Sequence, residues 1–135
     1  MEWKLEVVII PVSDVDRAKR FYADQLGFNV DVDQQISADF RVVQTTPPGS
    51  ACSVTFGTGL AAGAEPGSGP PMQLVVSDID AAHAQLTGAG VDVSGIFHFE
   101  EGRQMPGPGG DWNSFFSFQD PDGNQWTVQQ RPATA

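Results

Sequence analysis

Residues 8–16 read VIIPVSDVD and residues 72–80 read MQLVVSDID. Ser13-Asp14-Val15-Asp16 matches Ser77-Asp78-Ile79-Asp80 at an offset of 64 positions (77 − 13). In both copies an apolar run ends at Ser-Asp and a helical pattern begins, the mark of a duplicated unit. Asp14 and Asp78 suit N-caps, because a carboxylate there accepts from free first-turn amides and faces the positive end of the helix dipole. Val15, Ala18, Phe21, Tyr22 and Leu26 then fall at helical spacing, and Gly27 is placed to cap the C-terminus. In the second copy Ile79, Ala82, Leu86 and Ala89 form the stripe and Gly90 closes it.

Working outward, each helix is followed by an alternating apolar segment, Phe28–Val32 in the first copy and Val91–Phe99 in the second. Each copy then ends in a strand pair. The first is Phe40–Thr45 and Ala51–Phe56 around a turn at Pro47-Pro48-Gly49. The second is Ser114–Gln119 and Gln125–Gln130 around Asp120-Pro121-Asp122-Gly123-Asn124; Pro and Asp-Gly have direct turn mechanisms. Gly49 and Gly123 differ by 74 positions, so the second copy holds about ten more residues than the first, which the Gly- and Pro-rich stretch Glu101–Gly110 accommodates; within it Met105–Gly110 is expected to be a mobile loop. The reading is an α+β chain of one domain, 1–135, with two tandem βαβββ modules (1–57 and 72–131) joined by a linker (58–71). One helix covers one face of each sheet, so the two open faces are expected to curl as a mixed sheet around a central cavity.

Composition narrows the function classes. The chain has 135 residues, with 17 acidic against 7 basic side chains and a net charge of −10. A field of that sign repels phosphate backbones, which excludes nucleic acid as a partner, and no basic run is present to dock on an anionic membrane. No apolar stretch approaches the ~18 residues of a membrane span, and MEWKLEVVII lacks a signal-peptide core. Cys52 is the only cysteine, which rules out an internal disulfide or a multi-cysteine metal site. The expectation is a cytoplasmic protein.

Pro11–Phe28 (PVSDVDRAKRFYADQLGF) and Phe118–Gln130 (FQDPDGNQWTVQQ) together resemble the vicinal oxygen chelate superfamily, which includes glyoxalase I, extradiol dioxygenases and bleomycin-binding resistance proteins. The resemblance covers nearly the whole chain and implies the glyoxalase-like fold and a homodimer. It also implies metal-ligand positions seven residues before each capping Asp and four after the Gly of the DPDGN turn. Those positions are Val7, Pro71, Thr127 and, by the offset of 74, Ser53. Divalent cations in such sites need imidazole or carboxylate donors, so no metal and no cofactor are expected.

A trough that keeps its shape without a metal serves as a binding site. The expected function is metal-independent binding and sequestration of an apolar or aromatic small molecule, as in antibiotic resistance. The alternative is a metal-free lyase, isomerase or cyclase acting on a hydrophobic carbonyl compound. The expected lining is an apolar floor of Val7 and Ile9, with Ser53, Thr55, Gln73, Thr127 and Gln129 as polar anchors and Phe116 and His98 on the walls. Trp112, after Gly109-Gly110-Asp111, suits a stacking lid or a contact with a partner subunit. His98 and Glu100, two apart on a strand, would be the acid–base pair of an enzyme. Strand alternation leaves two choices open: Phe97 with Phe99 or Ile96 with His98, and Phe116 with Phe118 or Phe115 with Ser117. His83 is expected on the solvated face of its helix, Trp126 in the core, and Cys52 as a small buried side chain.

Overall fold

The computed structural model describes residues 1–61 and 63–133. Position 62 of the expected linker and positions 134–135 of the domain lie outside the described residues. No helix among the described residues is long and apolar enough to cross a membrane. The chain forms two compact units, the first made of Met1–Pro70 with Asp120–Asn124, the second of Pro71–Gln119 with Gln125–Ala135.

The first unit runs β1 (Val7–Ile9), α1 (Val15–Lys19), β2 (Asn29–Ser37), β3 (Phe40–Thr46), β4 (Ser53–Thr58). Its sheet has the order β1-β4-β3-β2, with β1 parallel to β4 and the other pairs antiparallel. The Asp14 side chain accepts from the Arg17 amide at 3.0 Å, as an N-cap should. Beyond α1 the helix widens into a π-helical segment, Arg20–Gln25, with the Leu26 amide bonded to the Phe21 carbonyl, and ends at Gly27 with φ 77°. That segment buries both Phe21 and Tyr22. The Tyr22 ring meets Phe56 of β4 at 5.4 Å and Phe28 at 5.8 Å, so Val54 and Phe56 define the helix-covered face of the sheet.

The second unit runs β5 (Met72–Val76), α2 (Ile79–Gly88), β6 (Phe97–Glu100), β7 (Arg103–Pro106), β8 (Phe115–Gln119), β9 (Gln125–Gln130). Its five-stranded sheet has the order β5-β9-β8-β6-β7, with β5 parallel to β9. Asp78 caps α2 by accepting from the Ala81 amide at 3.0 Å. Phe116, Phe118, Trp126 and Val128 fill the helix-covered side, with Phe118 and Trp126 stacked at 6.0 Å.

Both sheets fit the expected α+β glyoxalase-like fold, and the insertion in the second copy departs from the expectation. Met105–Gly110 is not simply a mobile loop: Met105 and Pro106 end a strand, Arg103–Pro106, that pairs antiparallel with β6 around Glu101-Gly102, which have φ 51° and 77°. Two consecutive left-handed residues make a primed turn, whose twist matches that of the flanking strands. The rest of the stretch is tied down, with the Gly107 amide on the Ile96 carbonyl at 2.9 Å and the Gly109 amide on the Ser114 hydroxyl at 3.0 Å.

Candidate functional site

In each unit the sheet face turned away from its helix gathers most of the expected site residues. In the first unit β1 pairs with β4 as Val7 opposite Ser53 and Ile9 opposite Thr55. These four therefore share a face, opposite to Val54 and Phe56. Val7 and Ile9 are 45% and 46% exposed, an apolar strip beside the two hydroxyls. The Ser53 hydroxyl meets the Thr46 hydroxyl at 2.8 Å and the Gln44 amide group at 3.4 Å. Thr46 in turn donates to the Asp31 carboxylate in a short hydrogen bond, and Asn29 donates to the same group at 2.7 Å. The Thr46 bond first, then that of Asn29, holds Asp31 below the ordinary carboxylate range. The Thr55 hydroxyl is buried and has no hydrogen-bond partner among the described residues. An unpaired buried hydroxyl costs about 1–3 kcal/mol.

In the second unit Gln73 stands opposite Thr127 and Val75 opposite Gln129, while β8 places Phe115 opposite Gln129 and Ser117 opposite Thr127. Phe97 pairs with Phe115, which brings Phe97 and Phe99 to the same face. The three rings form a cluster, with centroids 5.8 Å apart for Phe97–Phe99, 5.7 Å for Phe97–Phe115 and 5.5 Å for Phe99–Phe115. Beside it Gln73 donates to Gln129 at 2.6 Å, and Gln129 donates to the Trp112 carbonyl at 2.8 Å. Asn113 fixes Phe99 by accepting from its amide and donating to its carbonyl, both at 2.9 Å. Trp112 has φ 59°, a left-handed conformation that is uncommon for a bulky residue, and is half exposed. Aromatic surface with a few fixed polar groups is the chemistry of small-molecule recognition.

Two expected wall residues lie elsewhere. Phe116 is fully buried on the helix-covered face, edge-on to His83 at 5.2 Å. The cause is hairpin register. Eleven residues (117–127) lie between the paired Phe116 and Val128, whereas eight (46–53) lie between the paired Thr45 and Val54. The offset of 74 that aligns β9 with β4 therefore misplaces β8 against β3 by three residues, and an odd slip exchanges the two faces. Counting back from Gln119 opposite Gln125 would have found Phe115.

His98 is the second. It alternates with Phe97 and Phe99, so it faces the other side of the sheet, where its Nδ1 donates to the Gly107 carbonyl at 2.7 Å. Glu100 does share that face, with its carboxylate 3.6 Å from Nε2, but the pair is turned away from Gln73, Thr127 and Gln129. His83 is not solvated as expected: it is half-buried, with Nε2 2.9 Å from the Ser94 carbonyl. Cys52 is part-exposed just before β4, while Trp126 is in the core.

The metal-ligand positions implied by the resemblance hold Val7, Ser53, Pro71 and Thr127, and Val and Pro side chains offer no donor. Among the described residues no three His, Cys, Asp or Glu side chains are grouped to hold an ion. This donor set does not fit a divalent cation.

Comparison with known proteins agrees with the fold. No curated protein matches the chain. Among solved structures, TnmS3, an antibiotic binding protein from Streptomyces sp. CB03234, is similar at 29% identity and a TM-score of 0.75, over 97% of this chain and 98% of that one. A superfamily member from Sphaerobacter thermophilus DSM 20745 is similar at 30% identity and a TM-score of 0.74, over 96% and 98%. A glyoxalase/bleomycin resistance protein from Streptomyces sp. CB03234 is 30% identical, with a TM-score of 0.72, over 94% and 100%. The family model matches residues 4–128, and the chain belongs to the Glyoxalase/Bleomycin resistance protein/Dioxygenase superfamily.

Proposed function

We propose that this chain is a metal-independent binding protein that sequesters a small aromatic compound, acting as a homodimer in the cytoplasm. The observation that carries the reading is the Phe97–Phe99–Phe115 cluster beside the Gln73–Gln129 pair, on the face free of the unit's own helix. Three rings offer a stacking surface, and the glutamines offer donors and acceptors that fix orientation. The similarity to an antibiotic binding protein supports an antibiotic as the natural ligand, and with it a role in resistance. A net charge of −10 favours a cationic or neutral ligand over an anionic one. A lone cysteine suits a reducing compartment. Binding is favoured over turnover because Ser53, Thr55, Thr127 and the glutamines are not proton-transfer groups at neutral pH.

Titration with proflavine, a planar cation, tests this by fluorescence and calorimetry. We expect saturable binding that Phe115→Ala weakens about tenfold, equivalent to ~1.4 kcal/mol. Equal affinity in the wild type, Phe115→Ala and Phe99→Ala would refute the aromatic face as the site.

A further inference from the structure

Asp31 and Asp33 stand two apart on β2, yet they serve opposite faces of the first sheet. Asp33 pairs with Val43 and bonds Lys19 of α1, on the helix-covered side. Asp31 bonds Thr46, whose hydroxyl meets Ser53 on the open side. The cause is a β-bulge: Val30 pairs with Thr45 and Val32 with Gln44, so Asp31 is an inserted residue with no opposite number on β3. A bulge re-aims the side chain it carries. By register two rows cross the open face, Val7–Ser53–Thr46–Asn29 and Ile9–Thr55–Gln44–Val32, and Asp31 stands between their β2 ends.

The donors around Asp31 all run toward it. Thr46 gives its proton to the carboxylate, so at their 2.8 Å contact Ser53 donates to Thr46, and Ser53 in turn accepts from Gln44 at 3.4 Å. Such a chain polarises link by link. Asn29 donates to the other carboxylate oxygen at 2.7 Å. Arg41 and Lys19 neutralise Asp33, whereas neutral groups alone hold Asp31, and among the described residues Asp31 has no ion pair. Its negative charge is therefore left uncompensated on an exposed side chain. In the next row the buried Thr55 hydroxyl also lacks a partner among the described residues. Exposed Val32 lies beside Asp31, and exposed Val7 and Ile9 lie across the polar rows. We infer that the open face of the first unit binds a primary ammonium carried on an apolar arm, with Asp31 as its counter-ion. The three N–H donors of an ammonium suit the open lone pairs of the carboxylate, and the arm rests on Val32 and the Val7–Ile9 strip. This site goes beyond the aromatic face of the second unit and does not depend on it. Proflavine spreads its charge over fused rings and has no compact head on an arm, so its titration reports the aromatic face.

The probe is n-hexylammonium chloride, with n-hexanol as its neutral counterpart, titrated into the isotopically labelled full chain at neutral pH and followed by amide NMR shifts. We expect saturable shifts at Asn29, Asp31, Val32 and Thr46 with hexylammonium, and about fivefold weaker binding of hexanol. Asp31→Asn should weaken hexylammonium about fivefold, the effect of an exposed ion pair of good geometry. Asn29→Lys, which sets an ammonium of the chain's own beside Asp31, should do the same. Asp24→Asn, the same charge change at another exposed acid, should leave the affinity within about twofold. Equal affinity for hexylammonium and hexanol, shifts spread without preference over the acidic surface, or equal losses in Asp31→Asn and Asp24→Asn would overturn the ammonium site. Proflavine binding that still depends on Phe115 would in that event leave the aromatic face standing.

Discussion

Asp120 shows how much a single buried side chain can organise. It is 5% exposed and accepts four hydrogen bonds: Tyr22 Oη at 2.7 Å, Asn124 Nδ2 at 2.7 Å, and the amides of Asp122 and Asn124 at 3.0 and 2.9 Å. Asn124, wholly buried, also donates to the Pro11 carbonyl at 3.0 Å and accepts from the Gly69 amide at 2.9 Å. The DPDGN segment was legible as a turn from its Pro and Asp-Gly alone. Its partner Tyr22, 98 positions away, was not, because Tyr22 read equally well as one more apolar residue of a helix stripe. We expect Tyr22→Phe to destabilise the fold by about 1.5–3 kcal/mol, and Asn124→Ala by at least as much, since the latter strands several buried groups. Urea midpoints at constant slope measure both; losses below ~0.5 kcal/mol would mean that water replaces these bonds.

Between elements, Asp33 of β2 draws Arg41 of β3 and Lys19 of α1 into one network. Arg41 is bidentate to Asp33 at 3.0 and 3.0 Å and reaches Asp16 at 2.8 Å, and Lys19 meets Asp33 at 2.7 Å. The hydrogen bonds from Arg41, then Lys19, hold Asp33 far below the ordinary carboxylate range. A depressed carboxylate stabilises the fold fully above its unfolded pKa of ~3.9, and that contribution is lost as pH falls toward the folded value. Asp33→Asn should therefore cost about 1 kcal/mol at pH 7 and less at pH 3, compared by urea unfolding at each pH. A cost independent of pH would assign the effect to shape rather than charge. The sequence marked Asp33 as acidic but not its neighbours, since strand register decides which cations it meets. Register also hid Phe115 and β7: a three-residue difference in hairpin register and a two-residue turn are small features among many Gly and Pro residues. The helix caps and the strand–helix order needed only local chemistry, and they were legible.

Two helix-covered sheets keep the superfamily's architecture, and Val7, Ser53, Pro71 and Thr127 stand at the positions where the resemblance implies metal ligands. The faces that remain are apolar, aromatic and hydrogen-bonding, and on this account they bind a ligand by stacking and by fixed polar groups alone. The measurement that tests this most directly is calorimetric titration of proflavine into the purified chain before and after exhaustive chelation, then after re-addition of zinc, manganese or iron(II). We predict one site per chain, with an affinity unchanged within about twofold in all three states, a free-energy difference of ~0.4 kcal/mol or less. Binding that disappears on chelation and returns with a divalent cation would contradict the account.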